Sequence, residues 1–111
     1  MNFSGNLKSN TKLFKLLSTI KGKPLKAKLL KQLTSDDEFN QALREIAFNI
    51  VQQNRTLSKS QKRSLQPHAK KLSLLSLASS PKKRKRVIQT GRGLPLALIP
   101  IALTLINELA S

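Results

Sequence analysis

Lys82-Lys83-Arg84-Lys85-Arg86 sets five cations in consecutive positions, bounded by Pro81 and Val87. Charge packed this densely suits one chemistry above others, the exchange of condensed counterions for phosphate oxygens on a polyanion. Residues 55–92 hold twelve Lys and Arg and no acid, so Lys59, Lys62, Arg63, Lys70, Lys71 and Arg92 join the run as candidate nucleic-acid contacts. Neutralising about six phosphates makes log K fall against log salt with a slope of about −5. Such contacts hold a duplex without reading its bases, and no recognition-helix motif accompanies them.

Catalytic and metal chemistry finds little to work with. The 111 residues include no Cys and one His, which excludes disulfides and thiolate sites and leaves a protein-only zinc site short of ligands. His68 follows Pro67 with no nucleophile or acid in step with it, and reads as a surface or partly packed side chain. Asp36, Asp37 and Glu38 have the composition of a metal cluster, but directly after Ser35 they read as helix-start charges. With no Trp or Tyr and four Phe, stacking of bases on aromatic platforms is a poor description as well. The expectation is a protein that is not an enzyme and uses no cofactor and no metal. The Ser residues between Ser58 and Ser80 are possible phosphate acceptors, whose modification would lower the charge of the basic block.

The elements that must position these groups follow from charge and periodicity. Net charge is +16 in a chain long enough for one small domain, or half of one with tails. Self-repulsion at that charge opposes compaction unless a polyanion neutralises it, nucleic acid first and an anionic membrane second. The charge is blocked: +8 over residues 1–35, −3 over 36–54, +12 over 55–92 and −1 over 93–111. The N-terminus lacks the apolar core of a secretion signal.

Thr11–Ile20 carries Leu13, Phe14, Leu16, Leu17 and Ile20 at helical spacing and ends at Gly22. Pro24 suits the first turn of a second helix, with Leu25, Leu29, Leu30 and Leu33 on one face. Ser35 to Glu38 has the capping-box form, and Phe39, Leu43, Ile46 and Ile50 then form a core-facing stripe running to about Gln53. Ser58-Lys59-Ser60-Gln61 repeats the box ahead of Leu65, Ala69, Leu72 and Leu75, with Pro67 expected to kink or split the helix and Ser79-Ser80-Pro81 to end it. The fold class expected is all-α. A flexible stretch 1–10 precedes a domain of three or four short helices over 11–78, then a disordered basic linker 79–92 and a short apolar helical tail 93–111.

The run Pro81–Val87, PKKRKRV, closely resembles the monopartite nuclear localisation signal of polyomavirus large T antigen. That resemblance implies nuclear import, with Pro81, Lys82, Lys83, Arg84, Lys85, Arg86 and Val87 extended in the acidic, Trp-lined groove of importin-α. A solvated charge run in a linker is the plainer alternative. Beyond it, Leu94–Ile106 is thirteen residues without a charge, too short for a relaxed span of ~20, and interrupted by Pro95 and Pro100. A packing segment, a membrane-contacting segment aided by the adjacent cations and a partner-docking or disposable tail all remain open.

A polybasic run, a Gly-rich joint and a tail of the form G-x-L-P-x-x-x-I-P resemble the C-terminal half of the adenovirus precursor core protein X, or mu. Related proteins belong to adintoviruses and Polinton-type elements. The similarity covers Lys82–Ile106, and residues 1–78 do not resemble the short, Arg- and His-rich adenovirus form. It implies a virion core protein that condenses double-stranded DNA non-specifically, located in the virion and host nucleus. It also implies a precursor cut by a viral cysteine protease, with Gln89, Thr90, Gly91, Arg92 and Gly93 similar to the broader site and cleavage after Arg92. Gln89 stands where Met, Ile or Leu is usual, and a plain flexible hinge explains the same residues. Two further readings stay alongside: a membrane-active protein working through the apolar tail, and a cellular nucleic-acid-binding adaptor.

Overall fold

Capping residues and glycines divide this chain into short helices. The computed structural model describes residues 10–51, 57–91 and 93–110, with side chains as far as residue 105, and is all-helical. The order is α1 Thr11–Thr19, α2 Lys23–Leu33, α3 Asp37–Val51, α4 Lys59–Leu65, a 3₁₀ turn Gln66–His68, α5 Ala69–Leu77, α6 Pro81–Thr90 and α7 Leu94–Ala110. Of the stretch 1–10 expected to be flexible, residues 1–9 lie outside the described residues, as does the expected end of the third helix at Gln53, while Asn10 is buried at the start of α1.

Helix α3 is the centre of the packing, in contact with α5, α6 and α7. Its periodic stripe is buried as expected at Phe39, Ala42, Leu43, Ile46 and Ala47, while Ile50 and Val51 are half-buried. Phe14 of α1 stacks on Phe39 with ring centroids 5.4 Å apart. Each buried side chain of this size contributes about 1.5–3 kcal/mol. Asn40, buried on the same helix, donates from Nδ2 to the Thr34 carbonyl at 2.8 Å and so satisfies an acceptor at the end of α2.

Start signals act where they were expected, with one displacement. Ser58 and Gln61 make both bonds of a capping box at the start of α4. At α3 the expected box on Ser35 does not form. Ser35 still belongs to the final turn of α2, its N–H and its hydroxyl both donating to the Gln32 carbonyl. Asp36 takes the cap instead, Oδ1 accepting from the Glu38 N–H at 3.1 Å. Pro67 splits the next helix as its missing N–H requires, and the tighter 3₁₀ turn shifts the helical phase, so Ala69 is exposed while Leu65, Leu72 and Leu75 are buried. In α2, Leu30 reaches the core, but Leu25 in the first turn stands clear of it at 60 % exposure.

One expectation about the C-terminal third needs correction. Residues 81–90, expected as a disordered linker, form α6. Ser80 is its N-cap, Oγ accepting from the Lys83 N–H at 3.3 Å, and Pro81 is its first residue. The apolar segment is helical as expected, and of the readings left open for it the fold shows a packing segment. Leu94, Leu98, Ile99, Ile101, Ala102 and Leu105 of α7 are buried in the same cluster as Phe14 and Leu17. Pro100 does not break it, because Leu96, Pro100 and Thr104 form the outward stripe, where the carbonyl that Pro100 cannot pair faces water. With both segments folded in, the radius of gyration is 12.7 Å, close to the ~13 Å expected of a compact chain this long.

Candidate nucleic-acid interface

The five cations of the run leave α6 in different directions, since successive residues turn about 100° around a helix. Lys82, Lys83, Lys85 and Arg86 are exposed, and Arg84 points inward. Its Nε donates to Asp37 Oδ1 at 3.0 Å and its Nη2 to Oδ2 at 2.8 Å, while Nη1 reaches the Ala78 carbonyl at 3.4 Å. The planar guanidinium matches the carboxylate fork, a match a lysine could not make. Side-chain exposures are 9 % for Arg84 and 28 % for Asp37, so the pair is largely desolvated on one side only. The hydrogen bond from Arg84 holds the Asp37 carboxyl below its ordinary value of 3.8, against an opposing push from burial, and the bond from Gln41 at 2.8 Å adds to the lowering.

Asp37 therefore orients the basic helix, with Ile88 buried and Val87 half-buried as the apolar part of the attachment. Two of the three acids at the start of α3 have roles here, Asp36 as cap and Asp37 as anchor, while the Glu38 side chain is exposed. Among the described residues no group of His, Cys, Asp and Glu is arranged to hold a metal ion.

The remaining sequence candidates divide by helix. Lys70 on α5 is exposed, and Lys71 is half-buried with Nζ donating to Thr90 Oγ1 at 2.9 Å, which ties it to the end of α6. Helices α5 and α6 pack together, so these two lysines extend the charged surface of the run. Lys59, Lys62 and Arg63 are exposed on α4, which packs on α7. Arg92 lies outside the described residues.

Pro81 to Val87 are helical and not extended, and the last turn of α6 takes in Gln89 and Thr90. Gly91 is buried, and a Cβ there would come within 3.0 Å of the Val87 carbonyl and 3.3 Å of Lys71 Cβ. Gly93 has φ +83, and a Cβ on it would lie 3.2 Å from His68 Cε1. Gly91 thus lies close against the end of α6 and Lys71, and Gly93, with its positive φ beside His68, is the position whose backbone calls for glycine. Of the segment considered for proteolysis, Gln89 and Thr90 are helical and Gly91 and Gly93 are described, while Arg92, after which the cut was expected, lies outside the described residues.

The apolar face of α7 is turned to the protein interior. Among the described residues no single helix is long and apolar enough to cross a membrane. Sequence reasoning missed two residues here, Asp37 as the partner of Arg84 and Ser80 as the cap of α6. Ser80-Pro81 carried a usable signal, because a serine followed by proline starts a helix as readily as it ends one. The pairing of Asp37 with Arg84 spans a sequence separation of 47 and left no local trace. No family model, curated protein or solved structure matches this chain.

Proposed function

We propose that this protein binds and condenses double-stranded DNA without sequence preference, through Lys and Arg contacts to phosphate. The observation that carries the reading is the anchored basic helix: Arg84 is held inward by Asp37, so Lys82, Lys83, Lys85 and Arg86 are left exposed on a fixed support. A supported set of cations loses less conformational entropy on binding than the same residues on a free linker. Lys70 and Lys71 bring the set to six, which corresponds to a salt slope of about −5. On this reading the protein is a core component of a virion of adenovirus-like type, active in the host nucleus. Import rests on PKKRKRV and maturation on cleavage after Arg92 by a viral cysteine protease.

The test is a filter-binding or anisotropy titration on two unrelated duplexes of equal length. The wild type binds both equally, and the combined variant Lys82→Gln, Lys83→Gln, Lys85→Gln and Arg86→Gln loses roughly a hundredfold or more at low salt. Undiminished binding by that variant refutes the assignment of the interface.

A further inference from the structure

The same residues that resemble an import signal are locked into the fold, and that has a consequence for any receptor that reads them. A receptor groove that takes successive cations in successive sites needs an extended strand. From Lys82 to Arg86 an extended backbone advances about 13 Å, whereas the α-helix advances about 6 Å and sends its side chains around the axis. Presenting the run therefore requires α6 to open. Opening breaks the two bonds from Arg84 to Asp37 and the bond to the Ala78 carbonyl, removes the Ser80 cap and pulls Ile88 out of the core. Arg84 cannot satisfy Asp37 and a receptor's acidic groove at once.

We infer that the Asp37–Arg84 pair masks the import-like run, so that the folded chain and the receptor-bound chain are mutually exclusive states. This rests on the import reading given above and adds to it a control that the fold itself supplies. The apparent dissociation constant then equals that of the exposed run divided by the fraction of molecules in which α6 is open. Duplex DNA acts in the opposite sense, because it takes the outward cations of the closed helix and leaves Arg84 in place. Chain bound to DNA is thus withheld from the receptor, and loosening of α6 favours the receptor.

The experiment measures binding of purified importin-α by anisotropy to four forms of the full chain and to the peptide 79–90. The peptide binds, and the wild-type chain binds at least about tenfold more weakly. Asp37→Ala and Ile88→Ala, which leave every cation of the run intact, each recover most of that difference. Glu38→Gln makes the same change of charge as Asp37→Ala at an exposed neighbour, and stays within about twofold of wild type. Loss of global folding in either variant still unmasks the run, so it does not disguise the result. Equal affinity of peptide and wild-type chain overturns the mask while the import reading stands. A peptide that fails to bind removes the import reading itself, and the mask with it.

Discussion

Helices α6 and α7 follow one another in the chain, with Gly91 and Gly93 between them, yet they are held by opposite means. Helix α7 is attached through its apolar face, with Leu94, Leu98, Ile101 and Leu105 inside the core. Helix α6 carries five cations, and a partly enclosed ion pair, a cap and the apolar contacts of Val87 and Ile88 hold it. Burial of hydrocarbon depends little on pH or salt, whereas a partly enclosed carboxylate–guanidinium pair depends on the ionisation of its acid. The molecule thus has one C-terminal helix that reports on the core and another that reports on solution conditions. That α6 is folded with Lys82, Lys83, Lys85 and Arg86 exposed, as the proposed phosphate binding requires, follows from an anchor that lies outside its own sequence.

The largest separation of the two comes from the core side. Leu98→Ala leaves a cavity among fully buried neighbours and should cost about 2–5 kcal/mol, by an amount that stays constant with pH. Chemical denaturation at two pH values checks both parts. Asp37→Asn comes next. It leaves Arg84 with half of its partner's charge-assisted bonding, and at neutral pH should cost about 2–3 kcal/mol, less than the ~3–5 of a fully enclosed pair because Asp37 keeps 28 % of its side chain in solvent. The sign of its pH dependence is fixed by the lowered Asp37 value. The contribution is complete above the ordinary carboxyl value of 3.8 and is lost as pH falls through the lower value of the folded state. Thermal melts of wild type and Asp37→Asn should therefore converge on acidification. A gap that stays constant would mean that the carboxylate is not what holds α6. The smallest effect expected is Ser58→Ala, about 1 kcal/mol from loss of the capping box at α4, with no change at α6.

The comparison also explains how much could be read in advance. Helix α3 was legible because Phe39, Leu43 and Ile46 recur at the helical period behind a group of acids, and a one-residue shift of the cap from Ser35 to Asp36 does not move that stripe. The box at Ser58 and the break at Pro67 were legible for similar reasons, being local chemistry that tertiary contacts had no cause to override. The folded state of α6 was not. Mutual repulsion among Lys82 to Arg86 argues for an open chain until one of the five is neutralised by an acid distant in sequence. The place of α7 was legible only as one of several open readings, and what decides for packing is that Pro100 falls on the solvent stripe with Leu96 and Thr104. The candidate site was legible as a composition and a location. Which of its cations face outward was not, since that depends on where Asp37 stands.

The central claim is that four cations of the run meet phosphate and the fifth holds the helix. It is tested most directly by the salt dependence of binding to duplex DNA, compared among the wild type, the combined variant at Lys82, Lys83, Lys85 and Arg86, and Arg84→Gln. The combined variant should reduce the magnitude of the log–log slope by about 3–4, and Arg84→Gln by less than about 1 while lowering the melting temperature. A combined variant whose slope matches wild type, or an Arg84→Gln variant that keeps its melting temperature, would contradict this account.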